Sequence, residues 1–141
     1  MAVGALAREL GADAELVAVS SAGTGAWEGE PASECSVEVA AREGVDLTSH
    51  RSRRATRAML QEADLVLVME RTHLEAVKEL GMDSGRVFVL SEWPAPGEPG
   101  LAVSDPFGGS IEAYEECWRR IRRHVLRAVP RILEAARARS V

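Results

Sequence analysis

No apolar run in this chain approaches the roughly 18 residues of a membrane-spanning helix. The longest clear one is Leu65-Val66-Leu67-Val68-Met69. A transmembrane helix, and with it a membrane partner, is not expected. The first residues, Met1 to Glu9, hold no basic leader and carry an acid, so no signal peptide is expected and the cytoplasm is the expected compartment. Cysteine is scarce. Cys35 and Cys117 are too few for a disulfide scaffold. His50, His73 and His124 lack metal-ligand spacing, so neither a metal nor another cofactor is expected. Gly23-x-Gly25 lacks the remaining glycine of a dinucleotide fingerprint and reads as a turn. Ser21 has no nucleophile elbow around it. There are no internal repeats or low-complexity tracts.

What is present suits one domain, residues 1–141, with 46% apolar and 28% charged residues. The net charge of −5 is unevenly placed. Residues 119–141 hold eight arginines against Glu134 alone, so the rest of the chain is strongly acidic. An acidic body argues against nucleic acid as a partner. The arginine-rich end reads as a solvated helix face, with a binder of acidic surfaces as the rival reading.

Residues 2–10 have helical spacing and stop at Gly11, but no Ser, Thr, Asp or Asn caps their start. Residues 15–21 alternate apolar and polar and predict a strand. Residues 22–31 are a Gly-rich loop, 32–43 a helix with Gly44 as its stop, and 57–62 a short helix. Residues 64–69 predict a strand buried on both faces, 72–80 a helix, and 86–90 another strand. Residues 92–105 predict a long loop. Ser110 caps a long helix whose Ile111, Tyr114, Trp118, Ile121, Val125, Val129 and Ile132 keep a 3–4 spacing; Pro130 is expected to kink or interrupt it. Strands alternating with helices predict an α/β domain with a parallel sheet, although only three strands are visible.

Ligands of such sheets sit beyond the carboxyl ends of the strands, where loops begin at Ser20, Met69 and Ser91. Asp105, held by Pro106 and followed by Phe107 and two glycines, has the placement of a general acid. It also reads as a plain turn before a helix cap. Trp27 either covers a core edge or offers a face on which a phenyl or guanidino group packs.

Five ordered blocks carry a resemblance. They are Ser20-Ser-Ala-Gly-Thr-Gly-Ala-Trp27, Glu30-Pro-Ala32, Gly44-Val-Asp-Leu-Thr-Ser-His50-Arg-Ser-Arg53, Glu62-Ala-Asp-Leu-Val-Leu-Val-Met69 and Asp105-Pro-Phe-Gly-Gly109. Over essentially its whole length the chain resembles the low-molecular-weight protein-tyrosine phosphatase family, including its protein-arginine phosphatase branch. The resemblance implies a three-layer α/β fold of the phosphotyrosine phosphatase I-like type. It implies a phosphorylated protein substrate, carrying phosphotyrosine or phosphoarginine, hydrolysed through a phospho-cysteine. Asp105 matches the general acid, Trp27 and Phe107 the walls of the substrate cleft, and Ser21 and His50 groups that brace the phosphate loop.

The family pattern begins with a central strand and Cys-x5-Arg-[Ser/Thr]-Pro-Met-Ala, and this sequence starts at the Met-Ala. The expectation is therefore a chain without the N-terminal catalytic segment, with the central first strand missing and an empty slot where it belongs. Cys117-Trp-Arg-Arg-Ile-Arg-Arg123 is a literal Cys-x5-Arg, but inside a helix its backbone N–H groups cannot turn to a phosphate. Arg42 lies one position too far from Cys35. The rival reading is a catalytically inactive family remnant that binds a partner through Trp27 and Phe107. Arsenate reductases share the fold and rank lower, because the Trp and the Asp-Pro pair are present. The oligomeric state is not legible in the sequence.

Overall fold

The computed structural model describes residues 1–25, 27–83, 85–95 and 103–139. The predicted loop at 92–105 lies partly outside these. Helix α1 (Ala2–Leu10) has no side-chain cap at its start, buries Ala5 and Leu10, and ends at Gly11. Helix α2 (Glu34–Arg42) is capped by Ser33, whose Oγ accepts from the Ser36 N–H at 3.2 Å. Gly44, at φ 78°, turns the chain back so that the Val45 N–H reaches the Ala40 carbonyl at 2.8 Å. Helix α3 (Arg57–Glu62) starts at Thr56, whose Oγ1 caps the Met59 N–H at 3.2 Å.

Strands β1 (Val66–Val68) and β2 (Val87–Val89) pair in parallel, Val66 opposite Val87 and Val68 opposite Val89. Helix α4 (Arg71–Glu79) makes the crossover between them. Helix α5 (Ile111–Arg139) closes the chain; Ser110 Oγ accepts from the Ala113 N–H at 3.3 Å. The result is a parallel sheet with flanking helices, built on two apolar clusters. One joins α1, α2 and α5 around Ala5, Val39, Trp118, Ile121 and Val125. The other joins the two strands to α3 and α4 around Leu60, Val68, Val77, Val87 and Val89. Full burial of each such large side chain is worth about 1.5–3 kcal/mol before the cost of ordering it.

One expectation fails, and so does half of another. Residues 11–16 form a 3-10 helix, so the predicted strand at 15–21 loses its first two residues. Val17 is extended (φ −137°, ψ 119°), yet among the described residues no backbone hydrogen bond joins residues 18–20 to β1 or to any other segment. An alternating pattern makes a strand only where a neighbour completes the ladder. Nor does Pro130 interrupt α5, which runs continuously through it. Proline removes the bond to the Leu126 carbonyl, but Leu126 is exposed, so water can satisfy that group.

The positive surplus of α5 is largely neutralised. Arg119 and Arg120 pair with Glu116 at 3.0 and 3.1 Å, Arg122 with Glu9 at 3.3 Å, Arg137 with Asp13 at 3.3 Å and Arg139 with Asp64 at 2.5 Å. The last three pairs tie the helix to α1, the 3-10 turn and the approach to β1. Exposed pairs add little stability each, but they leave the helix poorly suited to bind a separate acidic surface.

Candidate active site

The loop before α5 is shaped by short-range chemistry. Asp105 Oδ1 accepts from the Phe107 N–H at 3.0 Å, an Asx turn. The Gly109 N–H donates to the Pro106 carbonyl at 2.8 Å, with Gly108 at φ 78°, a conformation that favours glycine. A side chain on Gly109 would sit 2.8 Å from the Pro106 carbonyl oxygen, so glycine is needed there too. Two tight turns in five residues push Phe107 outward to 84% exposure. They engage one oxygen of Asp105, and Oδ2 has no protein partner among the described residues. The turn reading and the acid reading are thus compatible: the turn aims the carboxyl.

Trp27 is 82% exposed and covers no core edge. Its loop is fastened to residues 51–55. The Trp27 carbonyl accepts from the Ser52 hydroxyl, whose oxygen accepts from the Glu30 N–H at 3.0 Å. The Gly29 N–H reaches the Ser52 carbonyl at 2.9 Å, and the Gly23 N–H the Arg53 carbonyl at 2.9 Å. Ser52 is a positioning residue that sequence reasoning missed. Its only signal is a small hydroxyl set among arginines opposite a glycine-rich loop.

The 46–50 turn is held by Asp46, whose Oδ1 accepts from both the Thr48 N–H (2.8 Å) and hydroxyl (2.6 Å). The hydroxyl bond first, then the amide bond, holds this carboxyl below its usual range. The His50 N–H closes the turn on the Leu47 carbonyl at 3.1 Å. Burial, then the positive charges of the Met1 amino group, Arg53 and Arg51, lower the affinity of His50 for a proton, so it is neutral at pH 7. Ser21 is half-buried, and its carbonyl accepts from Arg53 at 3.2 Å, so the first and third blocks of the sequence meet.

Cys117 lies buried in α5 with its sulfur 3.8 Å from the Ser104 carbonyl, as a donor. Burial, and to a lesser degree the charge of Asp105, push its thiol up. Met1 packs against the apolar cluster that holds Leu47 and Cys117, and the Cys117 thiol reaches the Ser104 carbonyl, next in the chain to Asp105. The Asp105 loop, the start of α1 and the 46–50 turn therefore share one end of the molecule. Cys35 stands half-buried in the first turn of α2. At the strand ends, Arg71 pairs with Glu92, tying the start of α4 to the segment after β2.

The family model for low molecular weight phosphotyrosine protein phosphatases matches residues 2–137. The chain is 36% identical over 117 residues to a probable low molecular weight protein-tyrosine-phosphatase, EpsP, of Ralstonia nicotianae, covering 82% of this chain and 77% of that protein. Among solved structures it is similar to the tyrosine phosphatase Wzb from Escherichia coli K30 in complex with sulphate. There the TM-score is 0.80 at 27% identity, over 93% of this chain and 87% of that one. It is also similar to the YwlE arginine phosphatase from Geobacillus stearothermophilus, with a TM-score of 0.77 at 26% identity, over 98% and 84% of the two chains.

Proposed function

The chain belongs to the low molecular weight phosphotyrosine protein phosphatase family, and from that premise we propose that its exposed loops form the leaving-group side of a cysteine-dependent protein phosphatase site. The substrate in this reading is a protein carrying phosphotyrosine or phosphoarginine. The observation that carries it is the Asx turn that holds Asp105 by one oxygen and presents Phe107 to solvent. Asp105 Oδ2 holds the proton that passes to the departing oxygen or nitrogen as a thiolate attacks phosphorus. In the second step the same carboxylate takes a proton from the water that releases phosphate. Phe107 and Trp27 flank the departing side chain. Ser21 and the neutral His50 brace the phosphate-binding loop.

The attacking thiolate must face Asp105 from a loop of N–H groups and an arginine. Neither cysteine has that setting. Cys117 lies in a helix whose N–H groups are bonded to preceding carbonyls, and burial keeps it a thiol. Residues 1–141 are thus read as the acid-and-wall part of the site, complete only together with a Cys-x5-Arg loop. The cysteines' setting also favours a second reading, a silent family member that binds a partner through Trp27 and Phe107.

In a chain carrying that loop, Asp105→Asn should slow phospho-cysteine formation by about 100-fold or more for poor leaving groups. The loss should be much smaller for p-nitrophenyl phosphate, whose leaving group needs little protonation. Equal losses for both would remove Asp105 from the acid role. No turnover by the loop-bearing chain at all would favour the silent member.

A further inference from the structure

We propose that Arg51, Arg53 and Arg54 form a binding strip for acidic side chains that flank the phosphorylated residue of the substrate protein, with Trp27 as the adjoining apolar contact. This rests on the phosphatase reading for the identity of the ligand as a phosphoprotein segment. All three arginines are exposed. Among the described residues no carboxylate lies within ion-pair distance of their guanidinium groups. Arg51 donates to the Thr48 and His50 carbonyls at 3.1 and 2.8 Å, and Arg53 to the Ser21 carbonyl at 3.2 Å. Among the described residues the Arg54 guanidinium has no protein partner, although its backbone N–H is taken by Glu28 at 2.6 Å.

The contrast with α5 gives the strip its meaning. Acids outnumber bases in this chain by 22 to 17, and five arginines of α5 have found carboxylates. Three arginines within four positions that have none are charges kept available. They are also held in place. Carbonyl bonds fix two of the side chains, and the Ser52 bonds lock the strip's backbone against the Trp27 loop. Such preorganisation lowers the entropy lost when a carboxylate arrives. A peptide with a few acids fits a patch of three charges. A long polyanion would also have to cross the acidic remainder of the surface.

The test is fluorescence anisotropy of labelled peptides on the full chain, each with a central tyrosine. The tyrosine is phosphorylated or not, and the flanks are glutamate or glutamine. Glutamate flanks should tighten binding by about 10-fold at low salt, in both phosphorylated and unphosphorylated peptides, with the gain shrinking at high salt. The triple variant Arg51→Gln, Arg53→Gln, Arg54→Gln should lose that gain. Arg54→Gln, whose side chain holds nothing among the described residues, should lose about 3-fold with an unchanged circular dichroism spectrum. Arg131→Gln should lose none. The two readings fail separately. A gain from phosphate with none from glutamate overturns the strip and leaves the phosphatase reading standing. The phosphatase reading is decided apart from this, by turnover of the loop-bearing chain: none there, beside a glutamate gain here, overturns that reading and leaves the strip standing. A glutamate gain that survives the triple variant, or a single-stranded oligonucleotide of equal charge that binds the strip as tightly, also overturns the proposal.

Discussion

At the scale of single residues, the two cysteines separate motif from chemistry. Cys117 opens a literal Cys-x5-Arg, yet it lies in α5, donates to a carbonyl and is pushed away from ionisation by burial. A raised thiol pKa means the reactive anion appears only at pH above the ordinary thiol range. Under native conditions at pH 8, iodoacetamide should modify the half-buried Cys35 well before Cys117, as read by peptide mass spectrometry. Equal rates at the two sites would contradict the structure around Cys117. Asp105, Phe107 and Trp27 were legible as candidates because their signals are local: proline and paired glycines make turns wherever they stand. That the Asp105 turn engages one oxygen and leaves the other was not legible. Nor was the hold of Ser52 on the Trp27 loop, since that contact spans 25 positions of sequence.

At the scale of elements, the helices and the two paired strands follow from pattern and caps. Gly11, Gly44, Ser33, Thr56 and Ser110 all mark ends where the sequence places them or near them. Residues 15–21 show the limit of that method. Alternation records which side chains suit a pleated surface, and it carries no information about a partner strand. Hydrogen exchange should therefore find the amides of residues 18–20 exchanging at least about 100-fold faster than that of Val66, which donates to the Arg86 carbonyl at 2.8 Å. Strong protection at 18–20 would mean that a ladder exists there. Close packing of α1 is a second element-scale test. A methyl group on Gly4 would lie 2.7 Å from Val45 Cγ1 and 3.3 Å from Leu47 Cδ2. Overpacking costs about 1–3 kcal/mol, against roughly 1 kcal/mol gained in helix propensity. Gly4→Ala should lower the urea midpoint, by a net loss of about 1 kcal/mol. A midpoint unchanged or raised would show that α1 has room to move away.

At the scale of the whole molecule, charge and fold divide the surface. The helix pairs of α5 spend its arginines on α1, the 3-10 turn and the approach to β1. The end of the molecule that carries Asp105 and His50 is the one we propose for the phosphoryl centre. The thiolate is the part that residues 1–141 do not supply from Cys35 or Cys117, and the account stands on that point. The most direct measurement is hydrolysis of p-nitrophenyl phosphate by the purified 141-residue chain, beside its Cys117→Ser and Cys35→Ser variants. The account predicts no turnover above buffer for any of the three. Clear turnover by the parent chain, abolished by either substitution, would contradict it.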